Sequence, residues 1–128
     1  MATGGSTANL INKWLDMLRA VAFTAPAAQW VKLHISDPGS AGANGAAAVT
    51  TRSQATFSAA AGGALALTGT LPSWAMTTTE TISHISVWDA STAGTFLYSG
   101  VLTASKAVVN GDTLQLTTLG VAITPLAA

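Results

Sequence analysis

The sequence predicts a mainly β fold: an antiparallel, jelly-roll-like β-sandwich of about seven or eight strands with one N-terminal amphipathic α-helix. Three observations lead to this prediction. Helical periodicity occurs once, near the N-terminus. The segments after it are short, rich in β-branched residues and bounded by Gly, Pro, Asn or Asp. Helical segments do not alternate with these strands, as they would in a parallel β-α fold.

The chain has 128 residues, the size of one domain. We expect residues 1–25 to form an arm and helix, and residues 26–128 to form the β-sandwich. Only 8% of the residues are charged, against about a quarter in typical proteins. Such a surface favours association, so we predict a homo-oligomer. Because five basic residues balance five acidic ones, we expect neither nucleic-acid binding nor membrane attraction.

Two further classes of protein are disfavoured by composition. The chain has no cysteine, which excludes disulfides and thiolate chemistry. Its longest uncharged interval, residues 53–79, is interrupted by Thr, Ser, Gly and Pro, unlike the roughly 20 apolar residues of a membrane-spanning helix. We therefore expect no membrane insertion.

The helix is predicted within the run STANLINKWLDMLRAVAF. Ser6 or Thr7 is suited to the N-cap, and the Ala25-Pro26 step disfavours continuation of the helix. Apolar residues recur at helical spacing, with the polar side chains on the opposite side; the apolar positions are Leu10, Trp14, Leu18 and Val21. We expect Leu10, Trp14 and Leu18 to pack on the same subunit or on a neighbouring one.

The first long strand is predicted in QWVKLHIS, where the period changes to two. Its buried face is expected to carry Val31, Leu33 and Ile35, and its other face Trp30, Lys32, His34 and Ser36. Asp37 begins the Asp-Pro-Gly turn that ends the strand. The following SAGANGAAAV has no periodicity and predicts a surface loop, with Asn44 as a candidate contact residue.

The remaining strands are predicted in SQATFSAA, GGALALTGTL, ETISHISVWD, TFLYSGVLT, KAVV, DTLQLTT and GVAIT. Asp89 is expected to cap backbone N–H groups of the turn ASTAG, which contains Thr92. Asn110-Gly111, followed by Asp112, is typical of a tight hairpin turn. Asp37, Asp89, Gly111 and Asp112 are therefore interpreted as structural turn residues.

HISVWD raises the question of whether His84, Trp88 and Asp89 form a reactive site. We expect His84 to be a half-buried spacer with one ring nitrogen bonded to a neighbouring backbone group. A divided metal site, combining His34 and Asp37 with His84 and Asp89, is the alternative, but such a set is weak evidence for zinc. Nucleophile-elbow and phosphate-binding motifs are absent from the sequence. We predict no catalytic residue, metal site or cofactor.

The four tryptophans have different expected roles. Trp14 lies on the apolar face of the helix and Trp88 on a strand with Ile82, so both are expected in the core or an interface. Trp30 and Trp74 are less constrained and are expected to contact other subunits, where Trp is enriched. Stacking on a carbohydrate is the alternative for these two.

The segments WVKLHISDPGSAG and ISHISVWDASTAGTFLYSGVLTASKAVVNGDTLQL resemble a family of small minor tail or tail-fibre proteins of tailed bacteriophages, over residues 29–124. The chain keeps Arg52 but has Thr50 and Thr51 where that family tends to carry a small and an aromatic residue. The resemblance implies a non-enzymatic virion protein, assembled in the bacterial host cytoplasm.

Combined with the composition, the resemblance predicts a homotrimer in the tail tip or fibre. Loops with Asn44, Arg52 and Thr92 would contact other virion proteins or a host-surface glycan. The first alternative is a trimeric decoration protein on the capsid. The second is a carbohydrate-binding module that uses Trp30 or Trp74. A cell-wall hydrolase is the weakest alternative, because the acidic residues are scattered.

Overall fold

A computed structural model describes residues 4–122 of the protein and shows the predicted mainly β, antiparallel fold with an N-terminal helix. The predicted strand residues Ile123 and Thr124 lie outside the described residues. Within residues 4–122 the strands are β1 (Gly4–Gly5), β2 (Gln29–His34), β3 (Ser53–Ala55), β4 (Ala64–Leu65), β5 (Ser73–Ala75), β6 (Glu80–Trp88), β7 (Phe96–Val108), β8 (Thr113–Gln115) and β9 (Val121–Ala122).

The helical segment runs through a π-helical turn (Thr7–Ile11), a short α-helix, α1 (Asn12–Asp16), and a 3₁₀ turn (Met17–Arg19). Ser6 is its N-cap, but the Ser6 side chain makes no capping bond. The predicted end at Ala25-Pro26 is wrong. Ala20 adopts the left-handed conformation, and the N–H groups of Ala20 and Val21 donate to Met17 and Asp16. This paired closure ends the helix at Arg19.

Five strands form one antiparallel sheet in the order β1-β7-β6-β2-β3. The other four form two-stranded antiparallel pairs, β4 with β9 and β5 with β8. The Asn110-Gly111 turn therefore does not join two paired strands, as the sequence suggested. It leads the chain from β7 to β8, which pairs with β5, and the Gly111 N–H donates to Met76 O near the end of β5.

The core lies against one face of the sheet and includes residues of the β5–β8 pair. Val31 and Leu33 of β2 pack with Ile85 and Val87 of β6 and with Trp74 of β5. The predicted alternation along β2 holds up to Leu33, which is 1% exposed. It then fails: Ile35 is 46% exposed and His34 is fully buried. The strand ends at His34, and Ala46 of the following loop bridges back to it.

The alternation of side chains along β6 is interrupted where its pairing with β7 is irregular, between Ile82 and His84. Ile82 pairs with Lys106, yet His84 pairs with Val101, so β7 has extra residues between these two pairs. Ile82 lies in the core cluster, whereas His84 is only half-buried on the opposite face with Ser86. A regular strand would place Ile82 and His84 on one face, because they are two residues apart; in this structure they lie on opposite faces.

Truncation of Leu33 and of Ile35 tests this assignment of the β2 faces. We expect Leu33→Ala to lower the free energy of unfolding by about 2–5 kcal/mol, because it leaves a cavity in the core. Ile35→Ala should cost less than about 1 kcal/mol, because the side chain is largely solvated. Urea unfolding of both variants measures the difference, and equal losses would contradict the assignment.

Candidate functional site

A chain of buried hydrogen bonds joins β2, β6 and the loop that follows β2. The His34 ring contacts two partners: Nδ1 lies 2.7 Å from Asn44 O, and Nε2 lies 2.7 Å from Ser86 Oγ. Trp88 Nε1 donates to the same Ser86 hydroxyl oxygen at 2.8 Å. His34 and Ser86 are fully buried. The segment HISVWD thus contributes Ser86 and Trp88 to a cluster around His34, not around its own His84.

The direction of each hydrogen bond follows from the partners. A backbone carbonyl only accepts, so His34 Nδ1 carries the proton and donates to Asn44 O. In the neutral ring Nε2 then accepts, and the Ser86 hydroxyl donates to it. Burial lowers the pKa of His34, and the nearby Lys32 and His84 lower it further against the opposing effect of the Asn44 bond. The neutral ring is therefore the form that this site stabilises.

The Ser86–His34 pair has the separation of a nucleophile and its base. Two features distinguish it from a reactive pair. Both residues are fully buried, so a substrate cannot reach Ser86 Oγ in this arrangement. The ring nitrogen on the far side bonds to a carbonyl rather than to a carboxylate. The arrangement holds the loop against the sheet.

Arg52 closes the neighbouring turn between β6 and β7. Its guanidinium lies 4.1 Å from the centre of the Trp88 ring, and Nη1 donates to Ala90 O and Ala93 O. Asp89 Oδ1 accepts from Thr95 N–H at 2.7 Å, at the far end of the turn. Arg52, predicted as a loop contact, thus bonds within the chain, while Thr92 is exposed at the tip of the turn.

The other predicted turn residues accept backbone N–H groups. Asp37 Oδ1 accepts from Gly39 and Asp112 Oδ2 from Val109, each at 2.9 Å. Gly111 has a positive φ of 94°, which favours glycine. His84 Nδ1 contacts the Ser83 hydroxyl at 2.8 Å, so the backbone partner expected for it is replaced by a side chain.

The predicted interface residues fall into two groups. Leu10 and Trp74 are buried, and Trp74 Nε1 donates to Thr51 O at 3.0 Å, so both pack inside the chain rather than being displayed to a partner. Trp14 and Trp30 are half-buried, and Leu18 is 86% exposed. Sequence periodicity placed Leu10 and Leu18 on one face but did not reveal that only the first turns of the helix contact the body.

The end of the helical segment carries an exposed apolar surface, which we call the helix patch: Leu15, Met17, Leu18 and Val21. A groove of about 260 Å³ lies between the helical segment and β7, and its lining includes Leu10, Trp14, Phe23, Pro26 and Tyr98. Arg19 Nε forms an ion pair with Asp16 at 2.8 Å, so these two charges neutralise each other beside the patch.

Residues 4–122 contain no group of three His, Cys, Asp or Glu side chains placed to hold a metal ion. In the same range, no helix has both the length and the apolar character needed to cross a membrane.

Comparison with known families gives a match over almost the whole chain. The family described as "Podophage GP4 fiber I protein gp80" matches residues 5–124. This match confirms the resemblance to phage tail-fibre proteins, and the matched residues include the N-terminal helix. None of the curated proteins matches the chain.

The lowered pKa of His34 predicts a loss of stability in mild acid. The unfolded chain binds a proton near the ordinary imidazole value of 6.5, whereas the folded chain resists it. Unfolding should therefore become easier as the pH falls through 6.5 and towards the lower folded value. Urea unfolding between about pH 7.5 and 5.5 measures this. His84→Gln should retain the dependence, and an unchanged dependence in His34→Gln would contradict it.

Removal of the Ser86 hydroxyl tests the hydrogen-bond chain itself. Ser86→Ala leaves Trp88 Nε1 without an acceptor and His34 Nε2 without a donor, so we expect a loss of about 1–3 kcal/mol in unfolding free energy. Ser83→Ala, which removes one bond to the half-buried His84, is the matched control and should cost less than about 1 kcal/mol. Similar losses of unfolding free energy in the two variants would show that the hydrogen bonds of Ser86 stabilise the fold no more than the half-buried bond of Ser83 does.

Proposed function

The chain belongs to the podophage GP4 fiber I protein family, and we propose on this basis that it is a non-enzymatic structural subunit of the virion tail fibre. It works by self-assembly and by contacts with other virion proteins or the host surface. The observation that carries the proposal is the family match over residues 5–124. The helix patch and the low charge support the mode of action.

Self-assembly is argued from the helix patch. Leu15 and Leu18 are 59% and 86% exposed, and Met17 and Val21 lie beside them. Clustered apolar side chains of this kind mark interaction surfaces more often than isolated ones do. With only 8% charged residues in the chain, little of the remaining surface repels another copy. We propose a closed homotrimer in which the patches of the copies bury one another.

The burial and hydrogen bonding of the polar side chains support a structural role over a catalytic one. The Ser86–His34 pair is inaccessible, and each of its polar atoms has a partner. Three of the acidic residues accept backbone N–H groups of turns: Asp37, Asp89 and Asp112. These groups hold loops in place and do not converge on one open pocket.

The other candidate functions receive less support. A capsid decoration protein would also be trimeric, but the matched family is described as a fibre protein. A carbohydrate-binding module would use Trp30 or Trp74, and the Trp74 ring is packed in the core. Exposed Asn44 and Thr92 are the loop residues that we propose for contacts with a neighbouring virion protein or a host glycan.

Substitution of Leu18 tests assembly through the helix patch. We expect the unaltered protein to sediment as a trimer at micromolar concentration and Leu18→Lys to sediment as a monomer, because a buried unpaired charge opposes association. The lysine suits the C-terminal end of a helix, so the fold should persist. Val109→Lys is the matched control: an exposed apolar residue outside the patch, expected to leave the trimer intact.

Two results would contradict this assembly: a monomer in the unaltered protein, or a Leu18→Lys variant that remains a trimer. Labelling of intact particles with an antibody tests the location separately. Label on the fibre supports the proposal, whereas label distributed over the head would favour the decoration protein.

A further inference from the structure

Two Asn-Gly pairs occur in the sequence, Asn44-Gly45 and Asn110-Gly111. In such a pair the backbone nitrogen of the glycine can attack the side-chain amide of the asparagine, because the glycine has no Cβ to obstruct the approach. The attack needs a deprotonated backbone nitrogen. The two pairs have the same local sequence, which predicts equal rates of this attack, but their surroundings in the structure differ.

The Asn110-Gly111 pair is protected. The Gly111 N–H donates to Met76 O at 2.9 Å, and the turn is closed further by Asp112 N–H donating to Val109 O. A backbone N–H engaged in this way must first lose its hydrogen bond before it can lose its proton. The exposed position of Asn110 therefore does not make its neighbouring nitrogen available.

The Asn44-Gly45 pair has the opposite arrangement. Within residues 4–122 the Gly45 N–H has no hydrogen-bond acceptor, while the carbonyl that shares its peptide unit, Asn44 O, accepts from His34 Nδ1 at 2.7 Å. Removal of the amide proton places negative charge on that carbonyl oxygen by resonance. The buried donor of His34 stabilises this charge in a low-dielectric site. Asn44 itself is exposed, so water reaches the side chain.

We propose that Asn44 is a site of spontaneous deamidation and that His34 activates it. The Gly45 nitrogen forms a bond to Asn44 Cγ and the Cγ–Nδ2 bond breaks. The side-chain NH₂ leaves as ammonia after gaining one proton, which replaces in the balance the proton lost from Gly45 N–H and can be relayed by water. The resulting succinimide is opened by water at either carbonyl. The products are aspartate and isoaspartate at position 44, and no oxidant or reductant takes part.

Deamidation of Asn44 would alter the loop that follows β2. Asn44 N–H donates to Pro38 O, and Ile35 N–H donates to Gly45 O, so the pair closes this loop on both sides. Isoaspartate adds a methylene to the backbone at this point and displaces the carbonyl bonded to His34. Both products add a negative charge to a surface loop of a chain with zero net charge. The aged protein therefore carries a looser and more acidic loop.

Peptide mapping by mass spectrometry tests the proposal with Asn110 as the internal control. The folded full chain and the chain unfolded in urea are incubated in mildly alkaline buffer, and the replacement of –NH₂ by –OH is followed in the peptides of Asn44 and Asn110. In the folded chain we expect Asn44 to convert about tenfold faster, the factor expected from the one hydrogen bond that holds the Gly111 N–H and is lacking at the Gly45 N–H. In urea the two rates should be similar.

Both isoaspartate and aspartate should appear at position 44, as opening of a succinimide requires. Equal rates in the folded chain, faster conversion of Asn110, or conversion of neither residue in the folded chain would overturn the proposal. Faster conversion of Asn44 that persists in urea would also overturn it, since the difference would then come from local sequence and not from His34.

Discussion

The fully buried imidazole of His34 is the constraint on which this end of the molecule depends. Its two nitrogens connect the backbone of the following loop with Ser86 of β6, and Ser86 in turn satisfies the indole of Trp88. Each member has only one arrangement that satisfies its neighbours, because a buried unpaired polar atom is costly. The strand, the loop and the adjacent turn are thereby held in one geometry.

The second turn is coupled to this cluster through the Trp88 ring. Arg52 covers the ring and bonds two carbonyls of the turn, and Asp89 closes the turn from its other end. His34, Ser86 and Asp89 are of residue types common in catalytic sites, but in this structure their side chains hold loops in position. Loops of fixed shape suit the loop contacts that we propose for a fibre subunit.

The apolar residues are divided between two tasks. Those of the sheet and the β5–β8 pair form the core, including Trp74. Those at the end of the helix remain exposed. The helix ends early, at a closure made by Ala20, and the side chains of the helix patch around this end are exposed. In the assembly that we propose, the interface would therefore use apolar residues that do not belong to the core.

The local sequence pattern predicted the mainly β class, an N-terminal helix capped by Ser6 or Thr7, and the turn roles of Asp37 and Asp89, because these depend on local backbone preference. It missed the burial of His34, the exposure of Ile35 and the partner of β8. The first two follow from the loop that returns to β2 where the strand ends at His34, and the third follows from the pairing of β8 with β5. In each case the partners are not neighbours in the sequence. Only the tertiary structure decides such contacts, since a histidine with two remote hydrogen-bond partners has the same local sequence as one exposed to water.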